Sequence, residues 1–414
     1  MKILIYGINY WPELTGIGKY SGEMAEWFAS QDHDVRVVTA PPYYPEWKVK
    51  DGYSAWFYKK EVHKNVVIYR SPIFVPKKPK LITRVLHLIS HAFFSFPTLI
   101  KQLHWKPDVI LFVQPTLFAS FGAIFLARLS KSKSVMHIQD YEVDAMFGLG
   151  MMNFRPLEKI AKIFEKWIMG KFDTISSISY SMLRNAALKG VPNSKLVFFP
   201  NWADTKFVSP SLIDSSLRSQ WGFSRDDKII LYAGNIGEKQ GLELVLNAAE
   251  EFKDKPLVNF LIVGTGAHVD VLKKVVAVKQ LNNVYFKPLQ PWARVPEMLA
   301  MADIHLVVQK RGAADVVLPS KLTNILSMGG YALVTAEKDT ELGVLADRFP
   351  GIYQCVAPES LSLFTEALQK MIENEHGQPN QIARDYAVQY LSKQNILSSY
   401  EKHLKILVGA KSGV

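Results

Sequence analysis

The sequence holds a single cysteine, Cys355, so an intramolecular disulfide is excluded and no metal site can be built from thiolates. That scarcity fits a reducing compartment. The N-terminus lacks an apolar run long enough for a secretory signal, and Met1-Lys2-Ile3-Leu4-Ile5-Tyr6-Gly7 reads instead as a first strand. A membrane span is missing too. The longest apolar stretch, Val109 to Leu129, is broken by Gln114, Pro115 and Thr116, which predicts a strand, a turn and a helix. The chain shows no short internal repeat, which excludes a solenoid.

What remains is the composition of an ordinary globular protein, 48% hydrophobic and 21% charged over 414 residues. That length exceeds one core and predicts two domains. Acidic residues are thin in one half only. Residues 1–200 hold 26 Lys+Arg against 15 Asp+Glu, whereas 201–414 hold 23 of each, so the whole formal charge of +11 falls in the first half. A basic half beside a neutral one points to an anionic surface or polymer met by the N-terminal domain, or serves solubility alone.

Short β-branched runs alternate with amphipathic segments throughout, the pattern of parallel sheets wrapped by helices. In the first half, strands are expected at Lys2–Tyr6, Asp34–Thr39, Val66–Arg70, Asp108–Val113, Ser134–Ile138 and Thr174–Ser177. Helices fit Lys19–Ser30, Leu81–Leu103, Leu117–Leu129, Pro156–Lys171 and Ser179–Leu188. Pro, Ser and Asp collect between Trp202 and Gly222, and the pattern then restarts. Strands of a second sheet are expected at Lys228–Ala233, Val258–Val263, Val284–Lys287, Ile304–Val308, Ala332–Thr335 and Ile352–Val356. The expected division is residues 1–205, residues 206–380, and a C-terminal helical stretch, 381–414, packing back on the first domain. The Pro- and Tyr-rich segment Pro41 to Trp47 has no period, as binding loops often do not.

In open parallel sheets, ligands bind outside the carboxyl ends of the strands, and this sorts the candidate loops. Asp32-His33-Asp34 has the look of a metal-holding Asp-x-Asp but precedes a strand, at the wrong end of the sheet. It reads as a solvated turn, and neither a metal nor another cofactor is predicted. The loop Asn9 to Tyr20 follows the first strand and carries Gly16 and Gly18 where a helix begins, so backbone N–H groups there can face a phosphate. It is not the dinucleotide fingerprint, because Ser21 takes the third glycine position. After the strand ending at Ile138, Asp140 is placed to face a ligand, with His137 either joining it or standing half-buried.

Four further stretches lie on the carboxyl edge of the second sheet. Tyr232 to Gly241 contains three glycines, with Asn235, Gln240 and a cation, Lys239, suited to a diphosphate. Val263-Gly264-Thr265-Gly266 repeats the arrangement. Gln309-Lys310-Arg311-Gly312 follows another strand, and Leu318-Pro319-Ser320-Lys321-Leu322 opens a helix with Ser320 as its N-cap. Lys321 in a first turn opposes the helix dipole, a conflict that a bound phosphate would resolve. Together these loops point to an anionic ligand.

Asn9 to Tyr20, His137 to Met146, Gly234 to Gly241 and Gln309 to Asn324 together resemble the retaining glycosyltransferases of family 4, over essentially the whole chain. The similarity is greatest to the branch of colanic-acid (capsular exopolysaccharide) fucosyltransferases. This resemblance implies a GT-B fold, two Rossmann-like α/β domains whose parallel sheets face a central cleft that holds the donor. It also implies transfer with retention, no metal requirement, GDP-fucose as donor and a lipid-diphosphate-linked sugar as acceptor. The family's usual Arg and Lys after the first strand of the second domain fall on Asn235 and Gln240, and its pair of glutamates on Val316 and Asn324. Lys239, Arg311 and Lys321 are the candidates to replace the missing charge, and Asn324 keeps hydrogen-bonding capacity toward the donor.

Lys77, Lys78 and Lys80 lead into Leu81–Leu103, which carries Arg84, Phe93 and Phe94. Basic residues beside exposed aromatics suit a bilayer face, while aromatics turned inward would be core. With a lipid-linked acceptor, the expected location is the cytoplasm, attached peripherally to the inner membrane, with no nucleic-acid partner. Two alternatives stay open: a UDP-sugar-dependent family 4 transferase for O-antigen or capsule, and a non-catalytic sugar-nucleotide-binding subunit of a polysaccharide assembly complex. A sugar-nucleotide epimerase would need an acid–base set around the sugar ring, for which only Asp140 and His137 are available.

Overall fold

Ile3 to Tyr6 are buried without a break, and so is every residue of Val109–Gln114. Such unalternating burial belongs to strands covered on both faces, as parallel sheets are. The computed structural model describes residues 1–13, 16–77, 79–115, 117–141, 155–210, 216–311, 319–374 and 377–409. Met1–Asn201, together with the chain from Leu397 onward, forms one compact unit, and Trp202–Ile396 forms another.

The first unit is built on β1 (Lys2–Tyr6), β2 (Asp34–Thr39), β3 (Lys59–His63), β4 (Val66–Arg70), β5 (Val109–Gln114), β6 (Lys133–Ile138), β7 (Thr174–Ser177) and β8 (Leu196–Phe198). They pair in the order β3-β4-β2-β1-β5-β6-β7-β8, parallel except for the β3–β4 hairpin. The chain fills one side of β1 and then crosses to β5 on its other side. This makes the carboxyl ends of β1 and β5 a topological switch point, where ligands of such sheets bind. Helices α1 (Gly16–Ser30), α2 (Leu81–Lys101), α3 (Ser120–Ser130), α4 (Arg155–Met169) and α5 (Tyr180–Leu188) accompany the sheet. The expected helix from Leu117 begins as a 3-10 turn, Leu117–Ala119, before α3.

The second unit has β9 (Lys228–Asn235), β10 (Val258–Thr265), β11 (Val284–Lys287), β12 (Ile304–Val307), β13 (Ala332–Thr335) and β14 (Gln354–Val356), all parallel. Their order is β11-β10-β9-β12-β13-β14, with the switch between β9 and β12. Its helices of at least eight residues are α6 (Glu243–Glu251), α7 (Val269–Lys279), α8 (Ser320–Met328), α9 (Glu341–Arg348) and α10 (Leu361–Glu373). Leu231, Val263, Val307 and Leu326 pack in one core cluster, and Tyr232, Ile262, Leu306 and Leu368 in a second, so both faces of the sheet are covered.

The C-terminal stretch expected as one helix is interrupted. Gln381–Tyr386 runs into a π turn, Ala387–Leu391, and Ser392 adopts an extended conformation bridged to Ala203 before α11 (Lys393–Gly409) begins. α11 is fastened to the first unit: Tyr400 stacks on Phe199 at 3.6 Å between ring centres and shares a 2.9 Å hydrogen bond with Ser176. Asp32-His33-Asp34 is a turn whose two aspartates are exposed, as expected, but it is tied in at its centre. His33 has a mostly buried side chain paired with Glu401 at 2.7 Å, and Asp34 accepts from the Trp105 indole at 2.7 Å. Two strands went unanticipated. Lys59–His63 is an edge strand whose charge masks its β character, and Leu196–Phe198 is only three residues long.

Candidate functional site

At the first switch point, Gly7 leaves β1 so close to β5 that a Cβ there would lie 3.1 Å from the Val113 Cβ. The loop that follows is tied down by two buried charges. Glu13, 1% exposed, accepts from the backbone of Tyr43 and Tyr44, each at 3.0 Å, and from Asn9 at 2.9 Å. Burial raises its carboxyl pKa, against the lowering effect of those hydrogen bonds. Arg70, also 1% exposed, donates to the carbonyls of Trp11 (2.6 Å) and Ala40 (2.9 Å) and pairs with Glu61 at 2.6 Å. The aperiodic Pro41–Trp47 segment is thereby fixed against the loop after β1.

This arrangement changes the reason for the two glycines at the start of α1. A Cβ on Gly18 would fall 2.6 Å from both Cβ and Oε2 of Glu13. Glycine is required there by the approach of a carboxylate, where the sequence suggested a phosphate. Gly16 takes a left-handed φ of +56°, which is cheap for glycine alone.

Asp140 lies two residues beyond β6, exposed at the carboxyl end, between the anchored Gln139 and Tyr141. Gln139 exchanges amide hydrogen bonds with Asn201 at 3.1 and 3.2 Å, and the Tyr141 hydroxyl donates to the Met182 carbonyl at 2.9 Å. His137 takes the second of its two expected places, away from Asp140 and more deeply buried than expected. It is buried inside the sheet, with Nδ1 3.1 Å from Ser176 Oγ and Nε2 3.1 Å from Gln139 Nε2. Desolvation pulls its pKa down to about 3, so the ring is neutral and supports the Gln139 turn from within.

A residue the sequence reading passed over is Gln114, the last of β5. It is buried, and neither its amide nitrogen nor its amide oxygen has a partner. Leaving such a group unsatisfied costs about 1–3 kcal/mol, so it marks a place for a ligand or an ordered water. The second unit repeats the theme. Gln309, two residues beyond β12 and beside the second switch point, is buried with an unpartnered Nε2, while its backbone exchanges hydrogen bonds with Thr335 at 2.9 and 3.1 Å. A polar amide closing an apolar strand is the signal that was available for both.

At the end of β10, two glycines are required by the approach of the backbone that leaves β9. A Cβ on Gly264 would lie 1.9 Å from the Gly234 carbonyl oxygen, and one on Gly266 2.1 Å from that of Ile236. Gln240 closes its own turn, its Oε1 accepting from Gly237 N at 3.0 Å. Asn235 and Lys239 are exposed, and the Lys239 carbonyl accepts from Lys310 N at 3.0 Å.

Lys321 reaches this edge from the first turn of α8. Its Nζ donates to the Tyr232 hydroxyl at 3.2 Å, and a Cβ on Gly234 would stand 3.9 Å from it. The Tyr232 hydroxyl in turn donates to the Asn235 carbonyl at 2.6 Å, and burial raises its pKa, keeping it neutral. Ser320 is not the N-cap expected of it. Pro319 occupies that position without a side-chain cap, and Ser320 is the first helical residue, its carbonyl accepting from Thr323 Oγ1 at 2.8 Å. Asn324 is half-buried in the next turn of α8. Arg311 is exposed, and its guanidinium pairs with Glu337 at 3.2 Å and Glu359 at 4.0 Å. Val316 and Lys78 lie outside the described residues. Among the described residues, no three His, Cys, Asp or Glu side chains converge as a metal site would require.

Of the residues expected to meet a bilayer, Lys77, Lys80, Arg84, Phe93 and Phe94 are all exposed. Among the described residues, no helix is long and apolar enough to cross a membrane.

Residues 15–202 match the family described as glycosyl transferase 4-like domain, and residues 214–389 match glycosyl transferases group 1. Over 407 residues the chain is 50% identical to the "Putative colanic acid biosynthesis glycosyl transferase WcaI" of Escherichia coli (strain K12), covering 97% of this chain and 98% of that one. It is 22% identical over 400 residues to an uncharacterized glycosyltransferase of Methanocaldococcus jannaschii, covering 91% and 90%. Among solved structures, a sucrose-phosphate synthase from Thermosynechococcus elongatus is similar with TM-score 0.72 and 14% identity over 99% of both chains. Anabaena HepE in complex with UDP-glucose is similar with TM-score 0.66 and 14% identity over 98% of this chain and 100% of that one. At these identities the two structures speak for the fold, which is that of the GT-B glycosyltransferases.

Proposed function

Since the chain belongs to the family 4 glycosyltransferases, carrying the 4-like and group 1 domains in order, we propose that it transfers L-fucose from GDP-fucose, with retention, to a lipid-diphosphate-linked acceptor. The product would be part of a colanic-acid-like exopolysaccharide, as the printed name of the Escherichia coli relative suggests. The observation that carries the donor half of this reading is Lys321. Its ammonium is held at the carboxyl edge of the second sheet by Tyr232, beside Gly234. When the donor's glycosidic C–O bond breaks, its electron pair stays on the diphosphate, and a cation and an uncapped helix N-terminus stabilise that charge. Lys239, exposed on the neighbouring loop, is the second cation in reach of that edge. With these groups the chemistry needs no metal.

The acceptor hydroxyl attacks the anomeric carbon on the face from which the diphosphate departs, and its proton passes to Asp140 or to an oxygen of the departing diphosphate. Asp140 positions or deprotonates that hydroxyl, or stabilises positive charge on the sugar. Gln114 supplies an amide to the acceptor. In this reading the protein works in the cytoplasm, attached to the inner membrane through Lys77, Lys80, Arg84 and the aromatics of α2. A uridine-diphosphate sugar is the second reading of the donor, favoured by the fold similarity to HepE with UDP-glucose.

A thermal-shift titration with GDP, UDP, GDP-fucose and UDP-GlcNAc, without divalent metal, tests the donor. A ligand selective for the folded state raises the melting temperature in a concentration-dependent way. Stabilisation by GDP and more by GDP-fucose is the expected result. Stabilisation by the uridine ligands alone would replace the donor, and silence from all four would overturn the donor site.

A further inference from the structure

Helix α2 is inside out. Beside Leu88 and Leu99, its side chains turned into the protein are His87, His91, Ser95 and Thr98, all buried, and both ring nitrogens of His91 lack a partner. Its outward stripe, Ile82, Leu86, Ile89, Phe93 and Phe96, is apolar at every step, with Ile82 73% and Phe93 71% exposed. A helix facing water puts its polar residues outside. This one is polarised for a medium that is not water.

The stripe does not end with α2. Phe96 meets Phe125 of α3 at 5.7 Å between ring centres, and Phe121 of α3 meets Phe164 and Trp167 of α4 at 5.5 and 6.2 Å. Phe121, Phe125, Leu129, Ile163 and Trp167 are each exposed, so three helices share one continuous apolar face, larger than scattered surface residues explain. Within it lies an apolar hollow of about 400 Å³ lined by Tyr58, Ile89, Phe93, Phe94 and Pro97. The one hydroxyl of that lining is already engaged, Tyr58 Oη donating to the Phe94 carbonyl at 2.9 Å.

Among the described side chains of these three helices, the exposed charges have one sign. Neither α2 nor α3 contains an aspartate or glutamate. Among the described side chains of α4, the one acid, Glu165, is buried against Lys189. Arg84, Lys101, Arg128, Lys131, Lys162 and Lys171 are exposed on these helices or at their ends. An apolar centre with a cationic margin is complementary to acyl chains beneath anionic headgroups.

We infer that the outward faces of α2, α3 and α4 form a single docking surface for an anionic bilayer, with the hollow beside Phe93 receiving a lipid chain. The inference rests on the peripheral attachment proposed above and extends it. Attachment through α2 alone would leave Phe121, Phe125, Ile163 and Trp167 without a role.

The test is co-sedimentation of the full-length protein, free of nucleotide, with vesicles of phosphatidylcholine containing about a third phosphatidylglycerol. The expected result is binding that weakens in pure phosphatidylcholine and in high salt. It should fall roughly tenfold or more in Phe121→Ser/Trp167→Ser, as in Phe93→Ser, because each double or single change removes buried aromatic area. The Trp167 emission should shift to the blue on binding, read as the difference from Trp167→Phe, a variant that preserves the apolar surface. Loss of binding in Phe93→Ser with full binding in Phe121→Ser/Trp167→Ser would overturn the three-helix surface and leave peripheral attachment standing. No binding by the unaltered protein would overturn both. So would a dimer in sedimentation velocity that these same substitutions dissociate, since a second copy would then cover the face.

Discussion

The Lys321 ammonium stands 3.2 Å from the Tyr232 hydroxyl and 4.4 Å from the centre of its ring. Two elements far apart in sequence, the first turn of α8 and the end of β9, meet through that pair. The phenol limits the rotamers open to the lysine, holding its ammonium at the carboxyl edge of the sheet.

Replacing Lys321 with methionine keeps the chain's length and apolar stem but removes the cation. Transfer, read as kcat/KM for the donor, should fall by about 100-fold, the size expected for losing one transition-state anion contact. The stabilisation by nucleoside diphosphate in a melting curve should shrink in parallel. Retained activity and a retained shift would move the diphosphate elsewhere on the edge.

For Asp140, the informative change is to asparagine. The donor-induced rise in melting temperature should persist, while turnover drops by about 100-fold or more. Unchanged turnover would remove Asp140 from the chemistry. A chain with no transfer or hydrolysis either before or after the change would instead suit a sugar-nucleotide-binding subunit.

Gln114→Leu separates ligand contact from structure. An amide without partners costs stability, so an apolar residue of similar volume should leave the melting temperature unchanged or raise it. Acceptor KM should nevertheless rise, roughly tenfold for the loss of one good hydrogen bond. A fall in stability with normal acceptor kinetics would make Gln114 structural.

Stability should decline with acid. Burial lowers the pKa of His91 and His137 to about 3 and of His87 and His305 to about 4. Below pH about 6.5 the unfolded chain takes up protons that these folded-state rings refuse, so stability is full above that value and is lost as pH falls toward 4. The slope reaches about 1.4 kcal/mol per pH unit for each histidine involved. Urea unfolding of His91→Leu at pH 7 and pH 5 should show a loss smaller by about one proton's worth. An equal loss in the variant would mean that His91 titrates normally.

Much of the fold was legible because buried parallel strands leave a strong trace. β1, β2, β4, β7, β11 and β13 lie where β-branched runs put them. Lys59–His63 was invisible because an edge strand facing water can be written in lysines. The carboxyl-edge rule selects loops by their place in the sheet, but it says nothing of what crowds their glycines. Gly18 and Gly264 answer to Glu13 and to the Gly234 carbonyl, and contacts of that kind join residues with no local sequence signature. The Glu337 partner of Arg311, 26 positions away, leaves no local trace either, and Ser320 missed the N-cap because a cap depends on one backbone angle. α2 posed a different problem. Its period was plain, but periodicity has no sign: it reveals that two faces differ, not which one turns inward.

The fastening of Tyr400 to Phe199 and Ser176 has a consequence for synthesis. The first unit is written at both ends of the message, with the whole second unit between them. A ribosome that has finished Asn201 has made an incomplete domain, whose Phe199 ring and Ser176 hydroxyl wait for a helix nearly two hundred codons away. The second unit is contiguous and can close while the chain is still growing, so the part of the protein that begins first is the part that is finished last.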